Sequence, residues 1–314
     1  MATHRLSPTP ATVRWGTFDA SYPPLITVNS GDTVVLECVS GGPEVMPPPG
    51  SGLTIPPALA AIHAANPPRV GGHILTGPVA VAGARPGDML EVHIDTIAFG
   101  ADWGYCGFRP LMGTLPEDFP ERFLSHIPID QARRIARLPW GTELPLAPFF
   151  GVMGVAPPAD WGTVSTKEPR AHGGNLDNKE LVAGTTLYIP VHTKGALLEI
   201  GDGHAGQGNG EVDITALETS LVGRFQLIVR KDLHLTWPRG ETPTHWIAMG
   251  IDKDLVVATK TAVRQAIEFL VTMKGMNKDD AYMLVSTACD VDITQLVDGP
   301  VGVHVMIPKK IFTK

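Results

Sequence analysis

Residues 79–97 read Val-Ala-Val-Ala-Gly-Ala-Arg-Pro-Gly-Asp-Met-Leu-Glu-Val-His-Ile-Asp-Thr-Ile. Leu90, Val92 and Ile94 alternate with Glu91, His93 and Asp95, the period of a strand with one wet face, and Ala84–Asp88 is turn chemistry. The same grammar occurs at 25–39, where Ser30-Gly31-Asp32 separates Leu25–Val28 from Thr33–Leu36. It returns at 187–200, where His192–Gly195 separates Leu187–Val191 from Ala196–Ile200. Each is predicted to be a hairpin or a corner between two strands. They are similar local solutions rather than evidence of a repeat.

Composition agrees with a β-rich reading. The 314 residues include 34 glycines and 29 prolines, with 18% charged residues, which favours short strands and tight turns over long helices. Helical periodicity is clear only at 255–273, followed by Gly275 as a C-cap, and at 279–289. We therefore expect a mainly β fold, with a β-rich body over 1–240 and an α+β region over 241–314. The segments 40–72 and 100–170 read as long irregular stretches that wall a cavity.

A net charge of −7, without a Lys/Arg block longer than a pair, argues against nucleic acid or an anionic membrane as partner. Cys38, Cys106 and Cys289 form neither a disulfide framework nor a thiolate zinc pattern, which suits a reducing compartment. With no charged and apolar leader at Met1–Thr12 and no run of about 18 apolar residues, a cytoplasmic protein is expected.

Three His-containing segments could carry chemistry. Gly201–Glu211 holds Asp202, His204 and Glu211 on a backbone loosened by five glycines, and His with carboxylates suits Zn²⁺ or another borderline divalent ion. A solvated Gly-rich turn is the alternative. Ala171–Asn178 brings His172, Asn175 and Asp177 together, a combination that equally suits an Asx turn. In Gly71–Pro78, His73 stands beside an apolar run, where a hydrogen-bonded core histidine is the competing account. The chain lacks G-x-S-x-G, S-x-x-K, H-E-x-x-H and the P-loop motif, so those hydrolase and nucleotide classes have no anchor. Cys106 has no basic neighbours to lower a thiol pKa and reads as structural.

Several of these stretches, taken in order, resemble the acetamidase/formamidase family, including its bacterial members that open bicyclic γ-lactams. They are Val28–Glu37, Gly72–Gly87, Phe150–Pro157, His172–Asp177, Ala183–Val191, Gly201–Glu211 and Asp280–Ser286. Ile74 departs from the Pro often found after the histidine of that second stretch, and Gly72 stands where Asp is frequent. The resemblance implies a jelly-roll-like β-sandwich with an appended α+β region, a homo-oligomer, a bound divalent metal and hydrolysis of simple amides to acid plus ammonia or amine.

On that basis Asp202, His204 and Asp177 are expected as metal ligands, most readily of zinc, with His73 or His172 completing or orienting the set. Glu211 is the expected acid/base, and Glu37 its alternative. Aromatic loops with Trp103, Tyr105, Phe108, Phe149, Phe150 and Trp161, together with Asn175, are expected to surround a small uncharged amide or γ-lactam, so that charged amides turn over poorly. Two rival classes are a non-catalytic jelly-roll module with a structural Ca²⁺ and a two-His-one-carboxylate iron oxygenase; the three His-containing segments argue against the first.

Overall fold

The computed structural model describes residues 1–312. All three turn motifs are corners, and each carries the chain from one sheet to another. Ile26–Val28 and Ile74–Val81 belong to an eleven-stranded sheet, whereas Thr33–Cys38 and Met89–Phe99 belong to a nine-stranded one. Thr185–Pro190 and Leu198–Gly206 make the third crossing in the opposite sense. Gly31, Gly87 and Gly195 take φ of 95°, 92° and 84° at the three bends, a region that a side chain makes costly.

The crossings stack the sheets face to face. Leu36, Leu90, Val92, Leu187, Phe225 and Ile247 of the nine-stranded sheet share one buried core with Val79, Phe150, Met153, Leu198 and Ile200 of the eleven-stranded one. Phe150 and Phe225 meet across the layer with ring centroids 5.5 Å apart. A buried phenylalanine of this kind contributes roughly 1.5–3 kcal/mol by removal from water. The expected β-sandwich is therefore the fold, with C-terminal helices as predicted.

Those helices run over Leu255–Lys274 and Lys278–Ala288. Asp254 caps the first, accepting from the backbone N–H of Val256 and Val257 at 2.8 and 3.0 Å, and Gly275 ends it at φ 67°. Ala258, Ala262 and Ala266 form the face that lies on Val303 and Val305. The strands beneath, His245–Asp252 and Val301–Pro308, continue the nine-stranded sheet from Arg239–Glu241, so the expected division after residue 240 falls inside one hydrogen-bonded sheet. The 100–170 stretch is more regular than its sequence suggests, with strands at Trp103–Phe108, Phe123–Asp130, Ile135–Arg137, Glu143–Pro145 and Phe149–Gly154. Glycines and prolines interrupt the alternation there and hide it. Helix Pro57–Ala65 lies inside the other stretch expected to be irregular. Among the described residues no helix is long and apolar enough to cross a membrane.

One strand prepares the site. Along one edge, Leu198–Gly206 pairs with Ile74–Val81 at its beginning and with Leu217–Glu218 at its end. The partner changes between Gly201, opposite Leu75, and His204, opposite Glu218. Asp202 sits at this fork with φ 59°.

Candidate active site

At the fork, side chains of several segments converge around a glycine. A Cβ on Gly151 would stand 2.5 Å from both Asp177 Oδ1 and Asp202 Oδ2 and 2.8 Å from His204 Cε1. The missing side chain is the space these groups face. Asp177 is delivered by a turn whose backbone N–H groups, those of Leu176 and Asp177, donate to the Gly151 carbonyl at 2.9 and 3.2 Å. Asp177, Asp202 and Glu211 all have positive φ, of 47°, 59° and 46°. Non-glycine residues in that region cost free energy, and such outliers cluster where a side chain must be aimed.

The imidazole of His204 is buried and fixed from two sides. Phe149 meets it edge-on at 4.9 Å, and its Nδ1 lies 2.9 Å from Gln207 Oε1. Gln207 Nε2 donates to the Asp177 carbonyl at 2.8 Å, so one amide ties the ring to the neighbouring turn. The other nitrogen, Nε2, faces Asp202 Oδ2 at 3.2 Å, Glu218 Oε1 at 3.4 Å and Asp177 Oδ1 at 4.0 Å. It has no aligned hydrogen-bond partner, and neither has either carboxylate oxygen of Asp177. His73 completes the surround: its Nδ1 is 3.0 Å from Thr166 Oγ1 and its Nε2 4.0 Å from Asp202 Oδ2.

Charge is crowded here. Burial pushes the carboxyls of Asp177, Glu211, Glu218 and Asp298 above their ordinary range, and neighbouring carboxylates add to the effect in each. Burial works against Asp202 as well, but the charges of His73 and His204 hold it below the usual carboxylate range. For His204 the order is reversed, since burial disfavours its charge and Glu218 and Asp202 override that, raising its pKa. Five buried acids around one imidazole are tolerated only if protons or a cation compensate them.

The residues fit a divalent cation. Asp202, His204 and Glu218 bring ligand atoms within 4.8 Å of one another, as do Asp177, His204 and Glu211. Ligands roughly 2.1 Å from one ion lie about 3.0–3.5 Å apart, which matches the separations of His204 from Asp202 and Glu218. Unsatisfied Nε2 and Asp177 oxygens, and a cradle that a Cβ would fill, are the features such an ion requires.

The expected residues thus divide. Asp177, Asp202, His204, Glu211 and His73 come together, and Tyr105 lines the cavity above Asp202 and Glu218. Glu37 does not join them, because strand alternation puts it on the outer face of the nine-stranded sheet, paired with Arg5. His172 is turned away too. Its ring is edge-on to Phe18 and Trp161, and burial, then the charges of His192 and Arg170, lower its pKa to about 3. Phe150 belongs to the inter-sheet core rather than to a substrate pocket, and Trp103 is buried with its indole N–H on the Thr54 carbonyl. Asn175 is buried behind the site, where Nδ2 donates to the Lys167 carbonyl at 3.3 Å. Cys106 is no nucleophile, since burial pushes its thiol up to about 12.

Two acids escaped the sequence reading. Glu218 lies in an ordinary strand sequence, and only its pairing opposite His204 brings it in. Asp298 comes from the loop before Val301–Pro308, and the same C-terminal segment holds the Glu211 loop through bonds between Gly210 and residues Thr294 and Leu296.

A β-sandwich that focuses a histidine and several carboxylates on a glycine-lined space is equipped for hydrolysis, and known proteins identify the class as a hydrolase acting on amide carbon–nitrogen bonds. The chain belongs to the Acetamidase/Formamidase family, whose sequence profile matches residues 11–163 and 160–314. The formamidase of Methylophilus methylotrophus is 27% identical, with 76% of this chain and 77% of that protein covered. The crystal structure of an acetamidase from Bacillus halodurans superposes with a TM-score of 0.85 at 31% identity, covering 98% of each chain. A γ-lactamase from Delftia acidovorans shares the fold, with a TM-score of 0.63 at 23% identity over 96% of this chain and 90% of that one.

Proposed function

We propose that the chain is a metal-dependent amidase that converts a small primary carboxamide, of the formamide or acetamide type, to a carboxylate and ammonia. The observation that carries this is the orphaned His204 Nε2, set with Asp202, Glu218 and Asp177 around the space above Gly151. Asp202, His204 and Glu218 would hold the ion, with Asp177 and His73 within reach of it. The imidazole nitrogen favours Zn²⁺ or another borderline ion over Ca²⁺. When bound, such an ion supplies Lewis acidity for the carbonyl and makes water a better nucleophile.

The chain's own groups supply the rest. Amide resonance has to be broken, a proton must leave the attacking water, and another must reach the departing nitrogen. Glu211 is assigned both proton transfers, because burial and then the charge of Asp177 raise its pKa well above the ordinary carboxylate value, which lets it hold as well as accept a proton. Tyr105 is assigned to the carbonyl oxygen. Its phenol is held protonated by burial and by the charges of Glu218 and Asp202, so it remains a donor where negative charge develops.

The test is ammonia release from formamide, acetamide, propionamide and a bicyclic γ-lactam, before and after chelation and zinc return. Turnover that is lost on chelation and restored by zinc is the expected result, and turnover unaffected by chelation would overturn the metal assignment. Equal rates with and without O₂ would separate hydrolysis from the oxygenase alternative.

A further inference from the structure

The cavity that reaches Asp202 and Glu218, about 150 Å³ in volume, is polar, and its outer part is cationic. Arg69, Arg109 and Arg122 line it against a single acid in that part, Glu44. Arg69 has a structural occupation: it pairs with Glu44 through both terminal nitrogens and lies 4.9 Å over the Trp15 ring. Arg122 Nη2 donates to the Glu44 carbonyl at 2.6 Å. Arg109 is different, since its exposed guanidinium has no hydrogen-bond or ion-pair partner among the described residues.

Arg109 also lines an adjoining cavity of about 460 Å³, shared with His73, Lys167 and Asp298. The backbone of Lys167 is fixed: its carbonyl accepts from Asn175 Nδ2, and its N–H donates to Ser165 Oγ at 3.1 Å. Lys167 is a half-buried residue, and its ammonium likewise has no hydrogen-bond or ion-pair partner among the described residues. A cation held on a fixed backbone without an ion pair keeps its charge free for an anionic ligand in the cavity it lines. The chain as a whole carries −7, so two unpaired cations on one cavity wall are not a product of general basicity. His73 joins both cavities to the acid cluster, through the 4.0 Å approach of its Nε2 to Asp202.

We propose that Arg109 and Lys167 bind a carboxylate of the substrate, so that the amide hydrolysed is the monoamide of a short dicarboxylic acid. This rests on the amidase reading and specifies its substrate. The neutral amide end faces the acids, and the anionic end faces the two cations. In the reaction the oxygen of water forms the new C–O bond, and the C–N bond breaks with its electron pair left on nitrogen. Ammonia departs with one proton drawn from that water, and the second proton of the water is passed to ammonia or solvent as the new carboxyl ionises, leaving a dicarboxylate. On this reading the substrate carries one negative charge, in place of the uncharged amide expected from the sequence, and cationic amides remain poor substrates.

Three amides of similar shape test this on the metal-loaded protein: succinamate, butyramide and 3-aminopropanamide. We expect kcat/KM to fall in that order, with succinamate at least about tenfold ahead of butyramide and its advantage shrinking as salt is raised. Arg109→Gln and Lys167→Gln should each lower the succinamate-to-butyramide ratio by about tenfold, mainly through KM. Butyramide preferred over succinamate, or a ratio unmoved by both substitutions, would overturn the carboxylate site and leave the amidase reading intact. A fall in kcat for both amides with the ratio constant points to product release and also overturns it. If no amide is hydrolysed, the amidase reading fails, and calorimetry with succinamate then decides the site separately: binding weakened by Arg109→Gln sustains it, and no binding ends it.

Discussion

His204 Nδ1 and Gln207 Oε1 lie 2.9 Å apart, on the side of the imidazole away from Asp202 and Glu218. The Gln207 Nε2 amide donates to the Asp177 carbonyl, so Oε1 is left as an acceptor and the imidazole proton belongs on Nδ1. With the proton fixed on Nδ1, Nε2 is the nitrogen whose lone pair a cation among the carboxylates would take, in place of the proton that Glu218 and Asp202 otherwise favour there. Gln207→Leu keeps the bulk and removes both bonds. We expect metal affinity to fall about 10–100-fold, with activity partly recovered at saturating zinc. Zinc titration followed by calorimetry reads this directly, and unchanged affinity would remove Gln207 from the centre.

Gly151→Ala tests the cradle. The added methyl would stand 2.5 Å from two carboxylate oxygens, closer than carbon and oxygen approach without repulsion. The strand backbone at 151 is not in the left-handed region, so the fold itself accepts alanine. The expected result is loss of bound metal and at least about a hundredfold loss of kcat/KM, with a small change in Tm. Metal analysis after dialysis, beside a thermal melt, distinguishes a blocked site from an unfolded chain.

The parts of this site that were legible in sequence share a local signature. Asp202, His204 and Glu211 lie next to glycines and Asp177 three residues after Gly174, and the structure shows why: Asp177, Asp202 and Glu211 occupy positive φ, where the chain must bend sharply to aim a carboxylate. The corners were legible for a related reason, since a Gly flanked by turn residues between β-branched runs is a local device. Glu218 had no such mark. It reaches His204 through a strand pairing between residues distant from its own turn chemistry, and Asp298 arrives through the continuity of a sheet whose order cannot be read locally. Glu37 stands apart from the cluster because a carboxylate in a matching motif says nothing about which face of a strand it occupies. His172 stands apart in the same way, next to the right glycines with its ring turned toward Phe18.

Tyr105→Phe separates carbonyl polarisation from metal binding. Tyr105 stands opposite Glu218 in the strand pairing and lines the cavity above it, while its phenol makes no hydrogen bond to protein among the described residues. Removing one hydroxyl should lower kcat by about 10²-fold if the donor acts on the developing oxyanion, with zinc content unchanged. A rise in KM with kcat intact would place the hydroxyl in ground-state binding instead.

Glu199 makes the protein sensitive to alkali. It is fully buried on the strand Leu198–Gly206, opposite Gly154, and neither carboxylate oxygen has a hydrogen-bond partner. Burial lifts its pKa to about 8 from an ordinary 4.5, although the charge of Arg14 opposes this. Because the folded state holds the proton more tightly than the unfolded one, folding is assisted below pH 4.5 to the full extent, and stability is lost as pH rises from about 4.5 to about 8. The loss is at most about 5 kcal/mol. Glutamine reproduces the neutral carboxyl without its titration, so Glu199→Gln should match the parent near pH 5 and exceed it progressively toward pH 9. Urea midpoints at the two pH values measure the difference. A gap between variant and parent that stays constant with pH would mean that Glu199 ionises in the folded chain at its ordinary value, its charge compensated by a cation such as Arg14.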